Sequence, residues 1–187
     1  MARRQRGFNL IEVMVTLTVL AVLISLGAPA FIEWNQSQRL RAGAEAILNG
    51  IQVARGEAIR RNLPVTVGLE PPSTAWTVCE ATISPCDSTT VAPNFIQNKS
   101  AQEASGSATI TTTAGANQLT FSALGSLIDN YDGTPRLTQV DVSYPPALCS
   151  VDGGTMRCLR VVISPGGSVR MCDPTPGIVA PDTRACP

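Results

Sequence analysis

The chain has 187 residues, with 14 basic and 14 acidic side chains and no histidine. This length suits one domain with an extension. The balanced charge argues against a general nucleic-acid binder, which would be strongly basic. The lack of histidine removes the commonest general base, and neither a G-x-S-x-G pattern nor a P-loop occurs. We therefore expect no enzymatic activity and no cofactor.

An apolar stretch follows a short basic head. Arg3, Arg4 and Arg6 come first, and the 23 residues Leu10–Ile32 contain only one charged side chain, Glu12. As a helix, this stretch would span roughly 35 Å, which is enough to cross a bilayer. The arginines would keep the head in the cytoplasm, so the rest of the chain would face outward. A carboxylate in lipid costs about 2.5–3.5 kcal/mol, so we expect Glu12 to have a partner or a function.

The run RGFNLIEVMVTLTVLAVLISLGAPAF resembles the processing site and membrane helix of type IV prepilins and type II secretion pseudopilins. The resemblance implies that a prepilin peptidase cuts between Gly7 and Phe8 and methylates the amine of Phe8. It also implies that Glu12 pairs with the terminal amine of a neighbouring subunit during assembly. Pro29 would lie in the part of the helix that packs inside the filament.

Two other interpretations of this segment stay open. An ordinary secretory signal would also have a basic head and an apolar core, and Ala28-Pro29-Ala30 resembles its cleavage triplet. Against it, a proline lies inside the triplet, Glu12 interrupts the core, and the helical pattern continues beyond Ala30. The second alternative is a plain membrane anchor in which Glu12 is only tolerated near the interface.

The helical pattern continues in the polar sequence after Ile32. Pro64 ends it, so one helix is predicted from Phe8 to Asn62, with a kink or loosening at Pro29. A narrow apolar stripe recurs at steps of three and four: Leu40, Ala44, Ile47, Ile51, Ala54 and Ala58. Alanine at three of these positions permits the close approach of a sheet. We therefore favour packing on a sheet of the same chain over a coiled-coil dimer.

Short strands are predicted beyond the helix, where the pattern changes to valine-, threonine- and isoleucine-rich runs between turn residues. They cover residues 65–69, 75–79, 108–112, 118–122, 137–143, 156–163 and 168–172. Ser164-Pro165-Gly166-Gly167 is a predicted hairpin turn between the last two strands. Residues 80–104 are predicted as a loop or weak hairpin, and the tail from Pro174 as irregular. The fold class is therefore α+β, a long N-terminal helix packed on a mainly antiparallel sheet.

Six cysteines in an exported chain indicate disulfides, for which 15 connectivities exist. Their order along the chain suggests three short loops, Cys79–Cys86, Cys149–Cys158 and Cys172–Cys186. Zinc is disfavoured because no C-x-x-C pair and no histidine occur. Asp129, Asp132 and Asp141 lack the spacing of a calcium loop and are interpreted as turn residues.

Two further segments allow a finer assignment. ILNGIQVARGEAIRRNLPVTV and LRVVISPGGSVRMC resemble the GspH/FimT branch of minor pilins and pseudopilins. The resemblance implies a type IV pilin-like fold with four parts: a leader (1–7), a membrane and filament-core helix (8–32), its amphipathic continuation (33–62) and a disulfide-containing β domain (63–187).

The same resemblance implies the function, partners and location. The chain would be a minor type IV pilin that takes part in assembly at or near the pilus tip, or alternatively a type II secretion pseudopilin. Its partners would be other pilins or pseudopilins, the prepilin peptidase, the inner-membrane assembly platform, and membrane lipid before assembly. It would cross the bacterial inner membrane once, with its C-terminal domain periplasmic, before joining a pilus or a periplasmic pseudopilus.

A third role, DNA binding, is suggested by FimT proteins that use a Gly-Arg-x-Arg motif on the late hairpin. This chain reads Gly167-Ser168-Val169-Arg170, so only the second arginine is present. Arg157 and Arg160 come just before, but strand alternation would not place both beside Arg170. These three arginines are the candidate DNA contacts, and solvating or edge-protecting charges are the alternative interpretation.

Overall fold

The computed structural model describes residues 9–104 and 106–187. It contains one long helix, α1 (Leu10–Arg61), which is not interrupted at Pro29. The chain divides after Gln36 into two compact units, and the second is Ser37–Pro187. The last 25 residues of α1, from Ser37, therefore belong to the unit that holds the strands. The predicted first residue of the helix, Phe8, lies outside the described residues.

Two antiparallel sheets form the rest of the second unit. Sheet A has the strand order β3-β2-β1-β5-β6, and sheet B has the order β4-β7-β8-β9. The bounds are β1 Val65–Leu69, β2 Trp76–Glu80, β3 Phe95–Lys99, β4 Thr109–Thr112, β5 Gln118–Phe121, β6 Leu127–Ile128, β7 Gln139–Ser143, β8 Leu159–Ile163 and β9 Val169–Cys172. A short helix, α2, covers Ala101–Ala104. The predicted α+β class is confirmed.

The apolar stripe of α1 is buried against both sheets. All six predicted positions, from Leu40 to Ala58, are at most 2% exposed. They share one core with apolar side chains of sheet A, among them Val67 and Phe121, and of sheet B, among them Val140. Burial of this apolar surface is the main force that holds the helix on the sheets. The prediction that the stripe packs within its own chain is confirmed.

Asn62 ends the helix in a left-handed conformation, with φ = 55°. The amide of the next residue, Leu63, then donates a 3.3 Å hydrogen bond to the carbonyl of Ala58. This six-to-one bond satisfies a carbonyl that would otherwise lack a partner at the helix end. Asparagine suits the position because it tolerates positive φ better than most residues with a Cβ atom. Pro64 follows directly and cannot continue the helix.

The outer face of sheet A carries a buried polar network. The hydroxyls of Thr66 and Thr120 lie 2.8 Å apart, and Thr120 also donates to Asn130 Oδ1 at 2.9 Å. Asn130 Nδ2 donates back to the carbonyl of Gln118, whose side-chain amide donates to Asp132. Because each buried group has a partner, the loop around Asn130 covers the sheet without leaving polar atoms unsatisfied.

Three disulfides occur in the second unit, and they are the pairs that the order along the chain suggests. Cys79 joins Cys86, Cys149 joins Cys158, and Cys172 joins Cys186, with Cα–Cα distances of 6.0, 5.4 and 5.1 Å. The last of them ties the C-terminal tail to the end of β9. Asp173 then forms a bridge with Ala185, and this contact extends the attachment by one residue beyond the strand.

Three elements of the structure were not predicted. Residues 80–104, predicted as a loop or weak hairpin, contain the edge strand β3 and the helix α2. β6 was not predicted, because it has only two residues, Leu127 and Ile128. The other strands follow the predicted runs, with ends that differ by up to three residues, and the predicted turn at 164–167 does join β8 to β9.

Candidate functional sites

The first candidate site is the apolar part of α1. Its large apolar side chains are exposed from Leu10 to Trp34, and the most apolar 18-residue window of α1 has a mean hydropathy of 2.4. None of that window is buried within the protein. In length and composition it could therefore cross a membrane or pack against other chains, which would remove a large apolar surface from water.

The hydroxyl groups in this stretch are satisfied within the helix. Thr16, Thr18 and Ser25 each donate to the carbonyl three residues earlier, at distances of 2.8–2.9 Å. A polar group without a partner would be costly in hydrocarbon, because no water is present there to bind it. The three side chains are thus compatible with an apolar environment, and Glu12 remains the one strongly polar group of the stretch.

Glu12 lies in the first turn of α1 and its side chain is exposed. The backbone amides of Glu12 and Val13 both donate to the carbonyl of Asn9, at 3.0 and 3.2 Å. Within residues 9–104 and 106–187, no basic side chain forms an ion pair with Glu12. A carboxylate is favourable at a helix N-terminus, where backbone amides carry a partial positive charge. The processing residues Gly7 and Phe8 lie outside the described residues.

Two aromatic side chains mark the end of the apolar stretch. The ring centroids of Phe31 and Trp34 lie 5.9 Å apart, and both side chains are exposed. Tryptophan is enriched at the boundary between hydrocarbon and water, where its apolar ring and polar N–H are both accommodated. Trp34 was not among the residues predicted to have a role. An aromatic pair three residues apart at the end of an apolar run was the available signal.

The second candidate site is the β8–β9 hairpin with its arginines. In the strand pairing Arg160 lies opposite Cys172, and Arg170 opposite Val162, so both arginines lie on the same face of sheet B. Arg160 Nε donates to Asp141 Oδ1 on β7 at 2.6 Å. Gln139 donates to the other oxygen of the same carboxylate. The guanidinium of Arg160 therefore already has an anionic partner.

Arg170 is also engaged. Its guanidinium donates to the carbonyl of Ala185 at 3.1 Å, beside the disulfide that fixes the tail. Arg157 precedes β8 and, with Leu159 and Met171, lines a cavity next to α1. Arg160 and Arg170 thus share a face of sheet B, while Arg157 lies before the strand and lines this cavity. The three arginines do not form one uniform basic surface.

The hairpin turn contacts the helix and the other sheet. Gly167 has φ = 79°, and its amide donates to the carbonyl of Ser164 at 2.8 Å. A Cβ atom at Gly167 would lie 3.3 Å from the ring of Phe121, so glycine suits both the turn and the close packing. Arg55 of α1 lies within 3.5 Å of the carbonyl of Gly167. This role of Arg55 was not predicted.

The three aspartates considered for calcium have structural partners. Asp129 pairs with Arg136, Asp141 pairs with Arg160, and Asp132 accepts hydrogen bonds from the amide and hydroxyl of Thr134. In the part of the chain that the structure describes, no group of three or more histidine, cysteine or acidic side chains could hold a metal ion. Asp132 lies in a turn, as predicted, whereas the prediction of a turn is wrong for Asp141, which lies on β7.

Two family models match the sequence of this chain. The model described as Type II transport protein GspH matches residues 43–167, two thirds of the chain. The chain belongs to the GspH family of pilin-like proteins. The model described as Prokaryotic N-terminal methylation motif matches residues 2–28, which include Gly7, Phe8 and Glu12. The family consists of structural subunits of pili and pseudopili. The apolar N-terminal helix and the family together fit a pilin that is anchored in a membrane.

Solved structures of the type IV minor pilin FimU from Pseudomonas aeruginosa are similar to this GspH-family chain. In one crystal form the identity is 18%, the match covers 75% of this chain and 91% of FimU, and the TM-score is 0.45. In a second crystal form the identity is again 18%, with coverage of 70% and 90% and a TM-score of 0.43. No curated protein sequence matches the chain.

Proposed function

We propose that this protein is a minor type IV pilin that takes part in the assembly of the pilus and lies at or near its tip. It is exported through the segment 8–32, cut between Gly7 and Phe8, methylated on Phe8 and extracted from the inner membrane into the filament. The observation that carries the proposal is that the methylation-motif match overlaps the apolar part of α1, whose large side chains are exposed from Leu10 to Trp34.

During assembly, Glu12 favours the one height of the subunit in the filament at which its carboxylate meets the amine of a neighbour. Transfer of a carboxylate and an amine into an apolar filament core is costly, and their mutual attraction offsets this cost only if the two groups meet. A subunit that enters at the wrong height would leave both charges unpaired. The exposed position of Glu12, without a basic partner among the described residues, supports a partner on another subunit.

Intact-mass measurement of the protein purified from its native membrane tests the processing. The expected mass is that of residues 8–187 with one added methyl group and three disulfides. The mass of a chain that begins at Met1 would contradict the proposal, because it would show that no cleavage occurs. The mass of a chain that begins near Phe31 would also contradict it, because a signal peptidase would then have removed the apolar helix.

A type II secretion pseudopilin is the second candidate function, and the description of the matching family model favours it. The hairpin sequence SPGGSVRMC and the three disulfides favour the pilus. Deletion of the gene distinguishes the two machines. Loss of surface pili and twitching motility supports the pilus, whereas loss of enzyme secretion with normal pili supports the pseudopilus.

DNA binding through the hairpin receives less support from the geometry. Arg160 would have to leave Asp141, and Arg170 would have to leave the carbonyl of Ala185, before either could contact a phosphate. Titration of the full-length protein in detergent with duplex DNA tests this role, with Arg170→Ala as the variant and Arg136→Ala as the control. Salt-sensitive binding that only Arg170→Ala weakens would establish it.

A further inference from the structure

A cavity of about 450 Å³ opens in the second unit, beside the part of α1 from Ser37 to Glu45. On the helix side it is lined by Leu40, Arg41 and Glu45, and on the opposite side by Leu159 and Met171 among others. Leu40 is almost completely buried, while Arg41 and Glu45 are exposed. The cavity therefore combines an apolar floor with charged groups that water can reach.

Two guanidinium groups are free to bind an anion there. Within the described ranges no ion pair or side-chain hydrogen bond engages Arg41 or Arg157, both of which line the cavity. A third arginine of the lining, Arg184, is already held by Asp182 at 2.7 Å, and this pairing lowers the pKa of Asp182 to about 2. A planar guanidinium binds phosphate oxygens through two parallel hydrogen bonds, so two of them suit a phosphate group.

Two carboxylates also line the cavity, but only one is available. Asp173 is buried, and its Oδ1 accepts a hydrogen bond from the amide of Thr175 at 2.9 Å. Glu45 is exposed and has no partner among the residues described. The charge of Asp173 is attracted to that of Arg184. The charges left without a partner are thus two cations and one anion above apolar side chains. This set complements a ligand that carries a phosphate, an amine and hydrocarbon.

The connection to the apolar helix brings such ligands close. Ser37, which lines the cavity, comes only five residues after Ile32, the last residue of the apolar stretch. Even a fully extended chain spans about 3.5 Å per residue, so Ser37 stays within roughly 18 Å of that end. When the stretch lies in a bilayer, the cavity is therefore within reach of the lipid headgroups.

We propose that the cavity binds the headgroup of a zwitterionic phospholipid while the chain waits in the membrane. Arg41 and Arg157 bind the phosphate, Glu45 binds the amine, and Leu40, Leu159 and Met171 contact the glycerol and the first carbons of the acyl chains. This inference rests on the membrane-inserted state of the proposed function. The bound lipid would hold the second unit on the membrane until extraction, when the cavity must release it.

The test uses the full-length protein in a non-ionic maltoside detergent, with ¹³C-labelled methionine methyl groups. Dihexanoyl phosphatidylethanolamine, a water-soluble short-chain lipid, is titrated in while the methyl signals are followed by NMR. The Met171 signal reports the cavity, and the Met14 signal reports simple mixing of lipid with detergent around the apolar helix. We expect a saturable shift of Met171 and no saturable shift of Met14.

Three variants assign the contacts. Arg41→Gln combined with Arg157→Gln is expected to weaken binding at least tenfold, while the matched control Arg136→Gln, on an arginine outside the cavity, leaves it unchanged. Glu45→Gln is expected to remove the preference for phosphatidylethanolamine over dihexanoyl phosphatidylglycerol, which lacks the amine. Unchanged methyl signals without lipid show that each variant is folded.

Several outcomes would overturn the inference. These are the lack of saturation at Met171, an equal affinity in the double variant, and an equal response to inorganic phosphate, which would show a general anion site. None of these results bears on cleavage at Gly7 or on surface pili, so a failure here and a failure of the pilin assignment are distinguishable.

Discussion

Gly50 of α1 packs directly against the indole ring of Trp76 on β2. A Cβ atom built on Gly50 would lie 2.7–2.8 Å from two ring carbons of Trp76, closer than such contacts occur in proteins. The ring is 1% exposed and lies in the shared core, so it has little room to move. The missing side chain is what lets the helix and sheet A come this close.

Gly50→Ala is therefore expected to destabilise the protein, although alanine is the better helix former. Overpacking of a filled core costs about 1–3 kcal/mol. The matched control is Gly56→Ala in the same helix, where a Cβ atom would meet nothing within 4 Å. This change should stabilise by about 0.5–1 kcal/mol. Urea unfolding of the full-length protein in detergent compares the two, and equal effects of both changes would contradict the packing argument.

The cap residue Asn62 gives a second prediction. Asn62→Gly should have little effect or stabilise slightly, because glycine adopts φ = 55° without strain. Asn62→Val should destabilise by about 1–2 kcal/mol, since a β-branched residue is strained at positive φ. The midpoint of thermal unfolding, measured by circular dichroism, should fall only for the valine variant. Similar midpoints for both variants would mean that the helix does not end in this conformation in solution.

Stability at low pH should depend on Glu57. Hydrogen bonds from Arg60 and Arg61 lower the pKa of Glu57 from 4.5 to about 2. A lowered pKa means that the stabilisation is complete above pH 4.5 and disappears as the pH falls towards 2. Because Glu57 is partly exposed, we expect about 0.5–1 kcal/mol for both pairs together.

Glu57→Gln isolates this contribution. The variant should be less stable than the natural protein at pH 6, and the difference should vanish as the pH approaches 2. Urea unfolding at several pH values measures it. A difference that stays constant with pH would show that the two arginines do not bind the ionised carboxylate in the folded state.

Glu12→Ala tests the assembly role. Loss of the carboxylate should leave membrane insertion unchanged or improve it, because a charge in the bilayer costs about 2.5–3.5 kcal/mol. Incorporation beside other subunits should nevertheless fall, since the amine of the neighbour would lose its partner. Immunoblots of membranes and of sheared filaments separate the two effects. Thr18→Ala is the control within the same helix, and an equal filament yield from Glu12→Ala would exclude the pairing.

Gly7→Val tests the cleavage site. A bulky side chain at the last residue of the leader should leave residues 1–7 attached, so the intact mass should be that of the unmethylated chain 1–187 with the substitution. Gly27→Ala, inside the apolar helix, is the control and should be processed normally. If Gly7→Val gave the mature mass of the natural chain, a different protease would have to make the cut.

Much of the fold could be predicted from local patterns. The stripe from Leu40 to Ala58 predicts a helix, because its periodicity matches the buried face of α1. The run Val65–Leu69 predicts a strand from its β-branched residues, although both faces of β1 are buried. β3 could not be predicted in this way, since it is an edge strand with mostly exposed side chains. The contact of Arg55 with Gly167 and the pair Arg160–Asp141 were also missed. Both join residues far apart in sequence, which only the assembled sheets bring together.

The candidate sites also differ in how far contiguous sequence could predict them. The roles proposed for Gly7, Phe8 and Glu12 come from one contiguous motif, which the methylation-motif model also matches. The hydrogen-bond partner of Arg170 could not be predicted, because it is the carbonyl of Ala185 in the C-terminal tail. The cavity beside Arg41 could not be predicted either, because its lining comes from the helix, two strands and the tail.

The six cysteines of this chain are joined as three consecutive pairs along it. In the proposed export, the second thiol of each pair therefore emerges when its partner is already outside, at most 14 residues earlier in the chain. An oxidase that acts on the chain in order of emergence would produce the native bonds directly. Under the proposed export, the three disulfides should then form normally in cells that lack a disulfide isomerase.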